Sequence, residues 1–373
     1  MNRRRSLCVA ALCGVTFAAC TPRADITPVA ARSDDGERIE ILAGTTRAKT
    51  PDGLFHPSER GELSFARFDV SVPLSHEPGL VEIARGGRDP AREFAVTRID
   101  HYANHQSFRH ALADRLRSTP EAQGEVVVFI HGFNNTFGDS VFRTAQMAND
   151  IGFTAVPVSY SWPSRGHPLR YAYDRDSALF ARDGLKNLLE EITRAGATTI
   201  ILVAHSMGSQ LTMETLRQMA LEGKGPVWDR IGGIALMSPD IDVDVFRAQV
   251  ADVGTLPERF VITTSSRDRA LKLSARLTGQ TSRLGNIPTA DPVSDLNVTV
   301  VNATQLVDVD NSHMGVVTSP TFLSIMQNVE SMNDAFQAAD SGRAGLISGT
   351  VLTVQNATEI IMEPVTAISE TVN

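Results

Sequence analysis

Residues Thr198 to Leu221 read TTIILVAHSMGSQLTMETLRQMAL. Thr199 to Val203 is a short, almost wholly apolar and β-branched run, the pattern of a buried strand in a parallel sheet. Immediately after Ala204-His205-Ser206-Met207-Gly208, the residues Leu211, Met213, Leu216 and Met219 recur at helical spacing. A strand that passes into a helix through small-x-Ser-x-Gly is a nucleophile elbow, a strained turn that lifts the serine hydroxyl clear of the sheet. Small residues are required two before and two after the serine because strand and helix nearly touch there. Gly208 meets this requirement, and Ala204 adds one methyl where glycine is commoner. The plainer alternative is that Ser206 is a helix N-cap.

The chain has 373 residues, 42% of them hydrophobic and 21% charged. This is the composition of a globular protein with a sizeable core. Arg3, Arg4 and Arg5 precede an apolar segment from Leu7 to Ala19 and then Cys20. Such a segment is an export signal, too short to span a membrane as a helix. Residues 1–19 therefore read as a signal peptide and 20–38 as a polar tether. Cys8, Cys13 and Cys20 are the only cysteines, so a product cleaved before Cys20 has one thiol and no internal disulfide. Without the three arginines, 32 basic residues face 43 acidic ones, a formal charge of −11. An acidic body is repelled by phosphate backbones, which argues against nucleic acid as a partner.

From residue 39 the pattern alternates strands and helices. Candidate strands are Ile39–Ala43, Leu63–Val72 and Phe94–Asp100, the second alternating as a half-exposed antiparallel strand does. A helix over Ser107–Leu116 leads to the strand Glu125–Ile130, which ends in His131-Gly132-Phe133-Asn134-Asn135. A strand Thr154–Tyr160, a loop through SWPSRGH, and one long helix over Arg175–Arg194 lead into the elbow. Beyond it come strand Ile231–Met237, helix Val243–Val250, strand Arg259–Thr264, a Ser/Thr/Gly/Pro-rich loop over Leu271–Asp295, strand Leu296–Asn302 and helix Pro320–Phe336. Alternation of this kind predicts an α/β fold: a mainly parallel sheet with helices on both faces, the N-terminal strands extending one edge. The domain spans 39–338, and residues 339–373 form a tail without a legible pattern.

Acyl transfer needs backbone amides preset around a developing oxyanion. In an α/β-hydrolase fold these come from the residue after the nucleophile and from the loop after an earlier strand, here Met207 and Phe133. A serine also needs a histidine to take its proton and a carboxylate to orient that histidine, in the chain order Ser, Asp or Glu, His. Of nine histidines only His313 follows the elbow. His205 adjoins Ser206 and reads as packing. The carboxylate stays open between Asp268 and the group Asp240, Asp242 and Asp244, of which Asp240 also reads as a cap for the helix near Val243. There is no HExxH, P-loop or dinucleotide fingerprint, and so no expected metal or cofactor.

HGFNNTF, SWPSRG with Tyr171 and Asp174, AHSMG and SRDRAL, in this order, resemble the bacterial α/β-hydrolase family catalogued as domain of unknown function nine hundred, loosely called esterase/lipase superfamily enzymes. The resemblance covers about Arg38 to Phe336 and implies Ser206 as nucleophile, Asp268 as acid and His313 as base. FAAC at Phe17–Cys20 is similar to a bacterial lipoprotein cleavage box, which implies lipidation of Cys20 and a membrane-anchored protein of the cell envelope; a soluble periplasmic protein is the alternative. The expected activity is hydrolysis of an ester-like acyl bond in a small-molecule or lipid substrate. Thioester or amide hydrolysis by the same residues, or noncatalytic binding on the same scaffold, are the competing readings.

Overall fold

Side chains along the central strands alternate between two cores, which is how one sheet holds helices on both faces. Val126, Val128 and Ile130 enter the larger core, while Val127 and Phe129 enter a smaller one on the opposite face. The structure is a computed structural model and describes residues 23–30, 36–51, 53–83, 89–152, 154–280, 282–306 and 349–362.

The elements are β1 (Arg38–Lys49), β2 (Phe55–Ser71), β3 (Ala95–Tyr102), α1 (His105–Ser118), β4 (Glu125–Ile130), α2 (Phe137–Ile151), β5 (Val156–Ser161), α3 (Tyr171–Phe180) and α4 (Arg182–Arg194). Then follow β6 (Thr199–His205), α5 (Met207–Leu221), β7 (Ile231–Met237), α6 (Val243–Val253), β8 (Phe260–Thr264), α7 (Arg269–Leu277), β9 (Thr299–Asn302), β10 (Gly349–Val354) and β11 (Ala357–Met362). Eleven strands form one sheet in the order β10-β11-β9-β8-β7-β6-β4-β5-β1-β2-β3. β2 is antiparallel to both β1 and β3, and β10 is antiparallel to β11; every other pairing is parallel. Residues of α1, α4, α5 and α6 fill the larger core and those of α2 pack on the other face. This is the expected α/β-hydrolase layout, with the N-terminal strands extending one edge.

Several local expectations change. The single helix over Arg175–Arg194 is two helices, broken at Ala181, whose carbonyl accepts from the Tyr160 hydroxyl at 2.6 Å. The Leu271–Asp295 stretch opens within α7 rather than as a loop, because Leu271, Ser274 and Ala275 share one buried helical face. The sheet also runs past the boundary expected at Ala338: β11 pairs with β9, from Thr358 against Thr299 to Ile361 against Asn302. Part of the expected tether lies on the body, with Ala24 and Ile26 packed on the α2 core and Val29 N–H bonded to Val96 O at 2.9 Å. Cys20, His313 and the helix expected over Pro320–Phe336 lie outside the described residues.

Candidate active site

Ser206 stands between β6 and α5 with φ 53° and ψ −119°. A positive φ is costly for a residue with a Cβ and persists only where the surroundings enforce it. Here they do. Ser206 N–H is held by Met237 O at 2.9 Å, and its carbonyl accepts from Asp240 N at 3.1 Å and Ser209 N at 3.0 Å. Gly208 lies so close to the β4 loop that a Cβ there would be 2.6 Å from Ile130 O and closer still to His131 O. The close approach expected of the elbow is thus present, and Ser206, at the N-cap position of α5, makes no side-chain capping bond. His205 is buried, its ring Nδ1 against Gly132, in the packing position expected for it.

The loop after β4 lies over this elbow. A Cβ on Gly132 would come within 2.8 Å of Ser206 Cβ. Asn134 takes a left-handed φ of 61°, which turns the next residues away and leaves the Phe133 amide at the bend. Among the described residues neither the Phe133 nor the Met207 N–H donates a backbone hydrogen bond outside helices and strands. Met207 opens α5, and the first N–H groups of a helix have no intrahelical acceptor.

Three charged side chains fix that loop. Arg47, on β1 and fully buried, donates to Ser161 Oγ at 3.2 Å, Ser164 O at 3.0 Å, Asn135 O at 3.3 Å and Pro57 O. Burial lowers its pKa to about 10, still high enough for the guanidinium to remain charged. Asp174, also fully buried, accepts from Ser164 Oγ at 2.5 Å, Arg165 N at 2.9 Å and Asn134 N at 3.3 Å; burial raises its pKa despite these bonds. Arg23 donates to Asn134 O at 2.7 Å, Asn134 Oδ1 at 2.6 Å, Gly166 O at 2.8 Å and Asp139 Oδ2 at 3.0 Å. HGFNN, SWPSRG and Asp174 are therefore one bonded cluster around the Phe133 turn.

A second serine–histidine pair lies beneath it. Ser161 Oγ and His131 Nε2 are 3.3 Å apart, but both residues are buried, and the His131 ring stacks on Trp162 at 4.8 Å. Burial, aided by Arg47, pushes the His131 pKa down to about 3. A base that weak and that buried cannot activate a hydroxyl near neutral pH. This pair holds the loop to β5.

A cavity of about 440 Å³ opens over the elbow, its wall including Phe133, Tyr171, His205, Ser206, Asp240 and Leu271. The two carboxylate candidates differ in employment. Asp240 accepts from the Tyr171 hydroxyl at 2.8 Å and Ser274 Oγ at 2.6 Å, and pairs with Arg283 Nε at 3.2 Å. It thus ties α3 to α7, and it does not cap α6: that role belongs to Asp242, which accepts from Asp244 N and Val245 N. Asp268 is buried after β8, its Oδ1 accepting from Leu271 N at 3.0 Å as the N-cap of α7. The loops after β8 and β9 are bonded together, Ser266 N to Thr304 Oγ1 at 3.0 Å, so the loop that carries Asp268 lies beside the end of β9.

A family described as alpha/beta hydrolase of unknown function (DUF900) matches residues 104–330. The chain belongs to this family. The matched span begins at α1, so the family's HGFNN, SWPSRG and AHSMG loops lie inside it, while Arg23 and Arg47, which brace them, lie outside. An uncharacterized protein of Nostoc sp., alr1448, is 37% identical over 132 residues, covering 28% of this chain and 34% of that protein, so the match spans about a third of the relative's length. Among solved structures, a cutinase-like protein from Cryptococcus sp. is 14% identical with a TM-score of 0.29, covering 59% of this chain and 96% of that one. Carboxyl esterase 2 from Tuber melanosporum is 11% identical with a TM-score of 0.32, covering 80% and 77%. Scores this low leave the chemistry to the family's own residues.

Of the residues read from sequence, Ser206, Phe133 and Met207 converge, Asp268 follows β8, two strands along the sheet from β6, and Cys20 and His313 are outside the described residues. Sequence reasoning missed Arg23, Arg47 and the Asp240–Ser274 bond, since no local pattern announces partners 34 to 117 residues away. Only Asp174 had a signal, as part of the family motif. Among the described residues there is no cluster of three or more metal-ligating side chains.

Proposed function

We propose that the chain is a serine hydrolase that cleaves a carboxylic ester-like acyl bond. Ser206 Oγ attacks the acyl carbon while His313 accepts its proton; Asp268 orients His313, and the Phe133 and Met207 amides receive the oxyanion. Collapse expels the alcohol, which takes the proton from His313 and leaves an acyl-Ser206 ester. Water, deprotonated by His313, then releases the acid and restores the serine. The observation that carries this reading is the strained φ of Ser206 in a cavity wall that also includes Phe133. Strain of this kind is retained where it serves a reaction, and a binding pocket does not need it. A fluorophosphonate probe is expected to label the wild-type protein and not Ser206→Ala, with both variants folded by circular dichroism. Equal labelling would sink the proposal.

Residues 17–20 support a further element of the same reading, a lipid anchor on Cys20 that holds the enzyme to a membrane of the cell envelope. Two or more acyl chains anchor stably where one does not. In a bacterium that processes lipoproteins, the mature protein should begin at Cys20 with acyl mass on it, by mass spectrometry of the intact chain. A membrane-bound product that still carries residues 1–19 would instead be anchored by its uncleaved signal.

A further inference from the structure

The helix α7, RALKLSARL, has more apolar surface than its packing uses. Leu271, Ser274 and Ala275 face inward, but Ala270, Leu273 and Leu277 turn outward along the rim of the cavity, with Leu273 56% and Leu277 63% exposed. Lys272 and Arg276, one turn apart, are exposed beside them. Across the opening, Pro168 lines the cavity, Leu169 is 85% exposed and Arg170 is exposed as well. A single exposed leucine is ordinary. Three around one opening, interleaved with cations on a protein of net charge −8, are not.

We propose that this rim docks on an anionic lipid bilayer, so that the cavity opens onto the membrane and takes its acyl ester from the leaflet. A helix with outward leucines flanked by lysine and arginine has the chemistry of an interfacial helix, apolar side chains entering the acyl boundary and cations meeting anionic headgroups. The course of the chain points to the same occupant. Arg23 forms part of the cavity wall, and Cys20 precedes it by three residues, a reach of roughly 10 Å at full extension. An anchor there brings the bilayer to this opening rather than to the far side. Inside, Val81, Ile83 and Leu271 line the cavity and suit an acyl chain. The substrate class rests on the hydrolase reading and the choice of occupant partly on the Cys20 anchor, whereas the docking surface rests on the rim.

The test uses the full chain with Cys8→Leu and Cys13→Leu, reconstituted into phosphatidylglycerol vesicles. A polarity-sensitive fluorophore is attached through Leu169→Cys, Leu273→Cys or Leu277→Cys, with Leu221→Cys as reference. Leu221 is 63% exposed at the far end of α5, a helix about 22 Å long that leads away from the elbow. Labels at 169, 273 and 277 should be quenched several-fold more than the label at 221 by lipid-borne quenchers, and less by aqueous iodide. Equal quenching at all four positions overturns the docking. So does protection of the rim labels in lipid-free detergent together with cross-linking between copies, which would make a second copy the occupant. Ser206→Ala in the same background should keep the quenching pattern, so loss of catalysis and loss of docking are read separately.

Discussion

Gly132 and Ser206 are in contact across the site: a Cβ on Gly132 would stand 2.8 Å from Ser206 Cβ, 2.8 Å from His205 Nδ1 and 3.1 Å from His205 O. The distance between the amide turn and the nucleophile is therefore set by the absence of one methyl group. Gly132→Ala should push the Phe133 loop off the elbow. Overpacking of this kind costs about 1–3 kcal/mol, visible as a lower Tm, and the displaced amide should lower kcat by about 10²–10³, the scale of losing one oxyanion donor. An unchanged kcat against a soluble activated ester would show that the Phe133 amide is not part of the site.

The two carboxylates make opposite predictions. Asp268→Asn should leave the fold intact and reduce kcat by about four orders of magnitude, as expected when a triad histidine is left in the wrong tautomer. Asp240→Asn weakens the bonds from Tyr171, Ser274 and Arg283. It should lower Tm and raise KM through a loosened α7, with a much smaller loss of kcat. The Tyr171 hydroxyl, raised to about 12 by burial and by Asp240, remains a donor throughout the working range. Near-normal turnover in Asp268→Asn with loss in Asp240→Asn would move the acid to the end of β7.

His76 links the loop after β2 to α2, with Nδ1 2.9 Å from Glu82 Oε2 and Nε2 2.6 Å from Asp150 Oδ1. Burial alone would lower its pKa, but the bonds to Glu82 and Asp150 prevail and raise it above 6.5. A histidine raised on folding gives stability that is complete below its unfolded pKa and is lost as pH rises through the folded one. Asp150 is opposed by burial yet held below 3.8 by Asn149, Gln146, Gly79 and His76, so its contribution is present above that value and is lost in acid. The Tm difference between wild type and His76→Gln should therefore be largest between about pH 4.5 and 6.5 and shrink toward pH 9. A difference independent of pH would mean that His76 packs without charge. The loop carries Val81 and Ile83 to the cavity wall, so KM should follow the same trend.

The fold was legible because its signals are local. β-branched apolar runs such as Thr199–Val203 and Glu125–Ile130 mark strands buried on both faces, and the alternation in Leu63–Val72 marks β2 as antiparallel. The elbow was legible for a stronger reason: Ser206 and Gly208 are two residues apart, and the turn they make is enforced by backbone sterics within that span. Chain order extended this to Phe133 and Met207, because each follows directly on a strand whose place in the sheet is fixed. The hairpin β10–β11 was not legible, since six-residue strands at a sheet edge carry little pattern of their own and take their place from pairing with β9.

What tertiary structure alone decided is which charges hold the site. By sequence Arg47 is an arginine beyond the candidate strand Ile39–Ala43, and Asp240 is either the acid or a cap near a helix. Folding instead sealed Arg47 under the loops after β4 and β5 and gave Asp240 to Tyr171, Ser274 and Arg283. Burial requires every buried charge to find partners, and those partners come from whichever segments the sheet order brings together. Local sequence fixes the turn that presents the serine, because that turn is a matter of adjacent dihedral angles; the neighbours of a buried guanidinium or carboxylate are a matter of strand order, which only the assembled sheet determines.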